Sequence, residues 1–306
     1  MVAHFKKYAN PSAVVYPVTR DIVEIELGRR KPWFREGRQR DDECHYAVCP
    51  YCHNPIQLKG IYRRHETSPR PYGSHTGKAE EGFAHFNLTD LECCPYRIKD
   101  HAVNKHARRE MGEAATVLIN LVIDEFDRIV LLLRDAFGFP FSNRFARIML
   151  EQWFSSKGYL YEGAHLRNLP WIIAYLGPSQ SLYSQYVGKN EALAAKIKGK
   201  VASAVITDAG QLRFTEGKWG RLDLQCLHHR TRISDKSHEI TEQMTLRVQD
   251  FTHTNDPGKA PLVYSKIIHF DPARFEHLLQ PQGKYAKRNQ DLLDIAITIG
   301  KKWGFR

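Results

Sequence analysis

The sequence has few cysteines and no long uninterrupted apolar segment. Its 306 residues include six cysteines, and five of them fall between residues 44 and 94, a clustering that argues against a disulfide scaffold. The most apolar run, 117–133, is interrupted by three acids and an arginine, which would be costly in a bilayer. The N-terminal residues, MVAHFKKYANPS, lack the apolar stretch of a secretory signal. We therefore expect a cytoplasmic protein with no membrane partner and with a metal site in the cysteine-rich part.

The charge is basic but evenly spread. The net charge is +11 and the pI is about 9.3. Residues 1–110 carry 19 basic and 14 acidic side chains, residues 111–200 carry 10 and 8, and residues 201–306 carry 16 and 12. A basic excess favours nucleic acid as a partner, although no part of the chain is a polycation.

One segment is denser in positive charge, and we call residues 28–40, GRRKPWFREGRQR, the arginine-rich segment. Guanidinium groups match phosphate oxygens, and the aromatic rings between them can stack on unpaired bases. The alternative is a solvated loop whose aromatic rings pack into the domain. The predicted nucleic-acid-binding residues are Arg29, Arg30, Lys31, Trp33, Arg35, Arg38 and Arg40.

The patterning predicts an α+β fold in three parts. Residues 1–110 form a zinc-binding N-terminal domain that is poor in apolar residues after about residue 28, residues 111–200 a helical domain, and residues 201–306 an α+β C-terminal domain with an antiparallel sheet. Segment 13–27 is predicted as one or two strands, and 169–176 as either a strand or a buried helix. Predicted helices are 114–136, 143–157, 190–198, 273–279 and 290–302, and predicted strands are 201–208, 211–216, 221–233, 242–251 and 262–270.

The segment HYAVCPYCHNPIQLKG, residues 45–60, contains a Cys-x-x-Cys turn, Cys49 to Cys52, which we call the knuckle. A redox pair normally opens a helix, whose dipole stabilises the thiolate. Here Pro55 and the alternation around Ile56 and Leu58 predict a strand instead. The knuckle therefore predicts the first two ligands of a structural zinc site, which a region with so little apolar material needs for stability.

The remaining zinc ligands are expected within GFAHFNLTDLECCPYR, residues 82–97. The predicted set is Cys49, Cys52, His85 and Cys94, with Cys93 as the substitute for Cys94, because adjacent cysteines do not easily bind one ion together. Further candidate ligands nearby are Cys44, His45, His53, His65 and His75.

The run CPYCHNPIQLKG followed by GFAHF resembles the N-terminal zinc-finger-like region of CoiA-like competence proteins, over about residues 45–97. That family pairs a Cys-Pro-x-Cys knuckle with a downstream histidine element, so Cys49, Cys52 and His85 match its pattern, whereas residues 61–81 are an insertion. The resemblance implies a bacterial protein that works around DNA, in a competence, mobile-element or defence context.

Proteins similar to CoiA also carry a nuclease domain, in which carboxylates hold magnesium beside a lysine. Asp208, Glu216 and Lys218 in VITDAGQLRFTEGK supply those residue types, although Gly217 predicts that Glu216 lies in a hairpin turn. A histidine–metal nuclease built on KDHAVNKH, residues 99–106, lacks the expected hairpin separation between its histidines.

Three functional hypotheses follow from the sequence. The first is a zinc-stabilised protein that binds nucleic acid through the arginine-rich segment. The second is a metal-dependent nuclease using acids of the C-terminal sheet, and the third is a zinc-stabilised protein-interaction module.

Overall fold

The computed structural model describes residues 1–36, 43–63, 68, 70–83, 86–97, 104–280 and 287–305. Over these residues the protein combines helices with antiparallel sheets, which confirms the predicted α+β class. None of the helices in the described ranges combines the length and the apolar character that a membrane span requires.

The N-terminal region is built on a four-stranded antiparallel sheet in sequential order, β3-β4-β5-β6. Its strands are β3 (Phe34–Arg35), β4 (Cys44–Val48), β5 (Pro55–Lys59) and β6 (Tyr72–His75). The other elements of this region are the strand pair β1 (His4–Phe5) and β2 (Tyr16–Pro17), helix α1 (Arg20–Glu26) and helix α2 (Leu88–Glu92). The knuckle therefore connects two paired strands, of which the sequence predicts the second, β5.

The prediction of strands over 13–27 is wrong for most of that segment. Only Tyr16–Pro17 of that segment form a strand, β2, and α1 follows it, with the Thr19 side chain accepting a hydrogen bond from the Ile22 amide as an N-cap. Val23 and Leu27 are then one turn apart on the buried side of this helix. The β-branched residues that suggested a strand are thus tolerated in a short helix because its cap and its burial outweigh their propensity.

The helical part follows its sequence signals closely. It contains α3 (Glu113–Phe137), α4 (Asn143–Ser155), α5 (Leu169–Leu176) and α6 (Glu191–Lys200), with short 3₁₀ turns at Gly158–Leu160 and Val187–Lys189. Gly138, in the left-handed conformation, ends α3, and the Ser142 hydroxyl caps α4 by accepting from the Phe145 amide. The ambiguous segment 169–176 is helix α5, and every residue in it is buried.

The C-terminal sheet has the strand order β12-β11-β10-β7 and is antiparallel throughout. Its strands are β7 (Gln180–Ser181), β10 (Leu222–Ile233), β11 (Ile240–Asp250) and β12 (Leu262–His269). A separate hairpin, β8 (Ala204–Ile206) with β9 (Leu212–Phe214), precedes it, and helices α7 (Pro272–Leu279) and α8 (Gln290–Lys302) follow it.

The buried apolar residues form two clusters. The larger one runs from Ala115 to Ile299 and joins the four helices of the middle part to the C-terminal sheet and to α7 and α8. The smaller one runs from Val2 to Cys94 and includes Cys49, Cys52 and Cys94 among its members. The sheet and helices beyond residue 111 thus share one core, whereas the N-terminal region depends on a much smaller one.

The three long strands present one face to the core and one face to solvent. Directly opposite residues of paired strands share a face, and Cys226, Met244 and Ile268 point to the core. Among the residues of alternate parity, Asp223 and Gln249 are buried at one end of the sheet. The others are half-buried or exposed, and we call the following set the open sheet face: Gln225, Leu227, Arg230, Arg232, Thr241, Gln243, Thr245, Arg247, Ser265, Ile267 and His269.

Candidate metal centre

Three cysteines and one histidine of the N-terminal region converge on one point. The ligand atoms of Cys49, Cys52, His75 and Cys94 all lie within 4.8 Å of one another. The distance from Cys49 Sγ to Cys94 Sγ is 3.9 Å, and His75 Nε2 lies 3.4 Å from Cys52 Sγ and 3.7 Å from Cys94 Sγ. A tetrahedral zinc ion would place sulfurs about 3.8 Å apart and a sulfur and a nitrogen about 3.6 Å apart. The cluster therefore has the size of a tetrahedral Cys₃His metal site.

The knuckle is held by backbone and amide hydrogen bonds. The Cys49 amide donates to the Asn54 carbonyl and the His53 amide donates to the Cys49 carbonyl, both at 2.9 Å. His53 has a φ of 58°, which turns the chain from the knuckle into β5. The Asn54 side chain donates to the Cys52 carbonyl and accepts from the Asn87 amide at 2.8 Å. Asn54 thereby joins the knuckle to the loop that leads into α2.

The other two members of the cluster come from β6 and from the end of α2. His75 is the last residue of β6 and is paired with Ile56 of β5, so sheet register brings it beside the knuckle. Cys94 follows α2, and its amide donates to the Leu91 carbonyl. The neighbouring Cys93, at the C-cap of α2, is half-buried and lies outside the cluster.

The structure thus brings together Cys49, Cys52 and Cys94 from the predicted set. The imidazole beside them is that of His75, which the sequence indicates only as a further candidate, after His85. His85, the predicted imidazole ligand, and His65 lie outside the described residues. Cys44 and His45 lie in β4, outside the cluster, and the His45 ring contacts the Tyr62 hydroxyl at 2.9 Å.

The electrostatics of the cluster favour a cation. Cys49, Cys52 and Cys94 are at most 2% exposed. Burial raises the pKa of Cys52 and of Cys94 well above the usual thiol value, and hydrogen bonding to Cys49 raises both further. Burial also opposes ionisation of Cys49, but hydrogen bonds from Cys52 and Cys94 outweigh it and hold its pKa well below the usual value. Without a metal the cluster thus favours one thiolate, and a divalent ion would supply the charge that stabilises three.

A buried polar network joins the knuckle to the rest of the protein. The Arg167 guanidinium donates to the Tyr51 hydroxyl at 2.8 Å and to the Glu276 carboxylate at 2.6 Å. The Tyr51 ring also packs edge-on against His165, with ring centroids 4.9 Å apart. Because Tyr51 lies between the two knuckle cysteines, this network fixes the metal-binding loop against α7 and the segment before α5.

Glu242 of β11 is the centre of the same network. Its carboxylate oxygens lie 2.9 Å from His165 Nε2 and 2.9 Å from His229 Nε2, and Asn168 donates to it at 2.9 Å. Burial alone would raise the pKa of Glu242, but the two imidazoles hold it well below its usual range. Sequence reasoning missed this group, although a signal was present. Glu242 has the same parity as Met244 and Leu246, which places it on the buried face of the strand.

The arginine-rich segment is partly engaged in ion pairs. Arg29 pairs with Glu43 at 3.2 Å, and Arg35 pairs with Glu80 at 2.6 Å. Trp33 is half-buried and donates to the Lys7 carbonyl, so its ring packs into the domain. The exposed Arg30 and Lys31 have no carboxylate partner in the described part of the chain, whereas Arg38 and Arg40 lie outside it.

The predicted nuclease residues are exposed and do not converge. Asp208 lies in the β8–β9 connection, and Glu216 lies in the turn beyond β9, at the opposite end of that hairpin. Glu216 lies in a turn, as Gly217 predicts, but that turn leads from β9 to β10 of the other sheet and is not the turn of a hairpin. Lys218 follows in the same region. Of the histidine–metal motif, Asp100 and His101 lie outside the described ranges.

Comparisons with protein-family models, with curated proteins and with solved structures found no match for this chain. The resemblance to CoiA-like proteins therefore remains a prediction from the residues around the knuckle. The structure adds to it a Cys/His cluster that can hold a metal ion.

Proposed function

We propose that this chain is a cytoplasmic, bacterial nucleic-acid-binding protein whose N-terminal region is stabilised by one structural zinc ion. The observation that carries the proposal is the closure of the metal site. Three buried cysteines and His75 can supply four ligands to one ion, so a tetrahedral ion held by all four would have no position left for a substrate or an activated water. A closed site of this kind stabilises a fold and does not catalyse a reaction.

The ligand set supports zinc over other metals. Thiolates are soft ligands that favour Zn, Cu(I) and iron–sulfur clusters over Mg or Ca, and a Cys₃His set is a standard structural zinc site. All six cysteines are free thiols, so none of them is withdrawn from metal binding by a disulfide. The small core around the knuckle gives the ion a clear structural role.

The proposal that the protein binds nucleic acid is supported by the net charge of +11 and by the basic groups near the N-terminal sheet that holds the knuckle. Arg29, Lys31 and Arg35 line a cleft of about 490 Å³, in which Glu36 and Glu81 are the acidic members. Together with the exposed Arg30, this cleft is the surface through which the arginine-rich segment would contact phosphates. The resemblance to CoiA-like proteins supports the same partner.

Zinc content and nucleic-acid affinity test the two parts separately. Purified protein should contain one zinc per chain, measured by elemental analysis. A labelled duplex and a labelled single strand should bind it with an affinity that falls steeply with salt, and the triple replacement of Arg29, Arg30 and Arg38 by Ala should weaken that binding.

Three results would decide against the proposal or redirect it. Protein without stoichiometric zinc would refute the metal part. No binding even at low salt would refute the nucleic-acid part and favour the protein-interaction module. Magnesium-dependent cleavage that disappears in Glu216→Ala would establish the nuclease instead.

A further inference from the structure

We infer that the open sheet face binds the phosphodiester backbone of double-stranded nucleic acid. This inference rests on the proposed function and names a surface for it other than the arginine-rich segment. It begins from the charges on the face, which are those of Arg230, Arg232 and Arg247. The one carboxylate of the same parity in the three long strands, Asp223, is buried beside β7 and is paired with Arg221.

The three arginines are available to a ligand. None of them forms an ion pair or a side-chain hydrogen bond with another residue in the part of the chain that the structure describes, in contrast to Arg29 and Arg35, which already pair with glutamates. A guanidinium without a carboxylate partner keeps its full charge and its forked donors for an anion. The open sheet face therefore offers more uncommitted positive charge than the cleft beside the arginine-rich segment.

The register of the sheet fixes where these charges stand. Arg232 is paired with Thr241, and Arg247 is paired with Gln225, so the two arginines lie six residues apart along β11. At about 3.4 Å per residue this separation is roughly 20 Å. A bulge between Leu227 and Arg230 adds one residue to β10, and it keeps Arg230 and Arg232 on the outer face while His229 points inward.

The other side chains of the face favour a duplex over a single strand. The set contains no Phe, Tyr or Trp, and its one ring is the His269 imidazole at the end of β12, so it lacks the run of aromatic rings on which successive unpaired bases stack. It does contain hydroxyl and amide groups such as Thr241, Thr245 and Gln243, which donate to phosphate oxygens between the arginines. Such a surface reads the charge and spacing of the backbone and does not read base sequence.

The test compares two variants that lose the same charge. In the first, which we call the face variant, Arg230, Arg232 and Arg247 are all replaced by Gln. In the second, Gln replaces three exposed arginines that are ion-paired elsewhere: Arg20 with Glu24, Arg147 with Glu151, and Arg274 with Asp135. Affinity for a labelled duplex is measured as a function of salt, beside that of the wild-type protein.

The face variant should lose about 0.9 from the slope of log K against log salt for each phosphate contact removed, or about 2.7 in all. Raising the salt from about 50 to about 200 mM should therefore weaken the face variant about 40-fold less than the wild type. The control variant should keep the wild-type slope. Replacement of the same three residues by Lys should keep most of the slope, and thermal unfolding should show that all variants are folded.

Each other result overturns a specific statement. If the wild type binds no nucleic acid, the proposed function fails and this inference fails with it. If the wild type binds and the face variant keeps its slope while the Arg29, Arg30 and Arg38 variant loses affinity, only the present inference fails. The inference also fails if the wild type binds a single strand more tightly than the duplex. It fails likewise if the face variant binds the duplex as the wild type does and has lost only affinity for anionic vesicles or for an acidic protein.

Discussion

Replacing Cys94 with serine should remove the metal ion, whereas the same replacement at Cys93 should leave it in place. The two residues are adjacent and chemically identical, so they form a matched pair. Cys94 is 1% exposed, and its Sγ lies 3.9 Å from Cys49 Sγ, whereas Cys93 is half-buried at the C-cap of α2 and outside the cluster. Comparing the two serine variants therefore distinguishes the effect of losing a metal ligand from the effect of losing any thiol.

The size of the effect follows from the number of ligands. Structural zinc binds small domains with an apparent free energy of about 10–16 kcal/mol at neutral pH. Divided over four ligands this is roughly 3 kcal/mol for each one, which corresponds to about 100-fold in zinc affinity. Because Cys94 is also a member of the small N-terminal core, order in that region should decrease with the metal.

The assay is competition for zinc against a chromophoric chelator, together with the zinc content of each purified variant. The wild type and Cys93→Ser should hold one zinc with equal affinity, and Cys94→Ser should bind at least about 100-fold more weakly. Equal zinc affinity in both serine variants would refute the geometry of the site. The same assay on His75→Ala and His85→Ala identifies the imidazole ligand, since only the former should lose zinc.

Two further predictions concern buried groups outside the metal site. Glu242→Gln should lower the free energy of unfolding by about 3 kcal/mol because it leaves His165 and His229 without their anionic partner. Glu239→Gln, at a carboxylate that is 46% exposed and lies 3.6 Å from His4, should change it by less than about 1 kcal/mol. Equal effects in denaturant titrations would contradict the network. Burial, together with the charge of Arg29, lowers the pKa of His45 to about 4. The unfolded chain takes up this proton first, near pH 6.5, so stability should fall as the pH is lowered from about 6.5 to about 4. His45→Gln should reduce the slope of that part of the pH profile without abolishing it, because burial also lowers the pKa of His4 to about 4. An unchanged slope would contradict the assignment.

The elements that local signals determine could be predicted from the sequence. The end of α3 at Gly138, the cap of α4 at Ser142 and the full extent of α8 follow from residues within one turn of each boundary. The knuckle is equally local, because two cysteines three positions apart on a turn can bind one ion regardless of the rest of the chain.

The place of His75 in the cluster could not be predicted in this way, because strand pairing determines it. Residues 61–81 look like an insertion when the chain is read linearly, yet β6 lies within them and pairs with β5. That register places His75 opposite Ile56, next to the knuckle, which no spacing along the sequence reveals. The same limit applies to His165 and Glu242, which are far apart in the sequence but only 2.9 Å apart between their ring nitrogen and carboxylate oxygen.

Metal removal can decide which of the two basic surfaces binds nucleic acid. The arginine-rich segment leads into the sheet that holds the knuckle, and this region has the smaller core, whose members include three candidate ligands. The sheet that carries the open sheet face packs its other side into the larger core, which contains none of the candidate ligands. Chelation of zinc should therefore impair binding through Arg29 and Arg30 and leave binding through Arg230 and Arg247 largely intact.

The measurement is duplex affinity before and after chelation, with circular dichroism to follow the loss of N-terminal structure. If the open sheet face is the main surface, the wild type should keep its salt slope after chelation. The face variant should then not bind the duplex after chelation. Loss of all binding on chelation, while the signal of the C-terminal sheet persists, would assign the interaction to the arginine-rich segment. The connection through Tyr51 and Arg167 does not alter this expectation, since it contacts the sheet through Glu242 on the core side of β11, opposite the arginines.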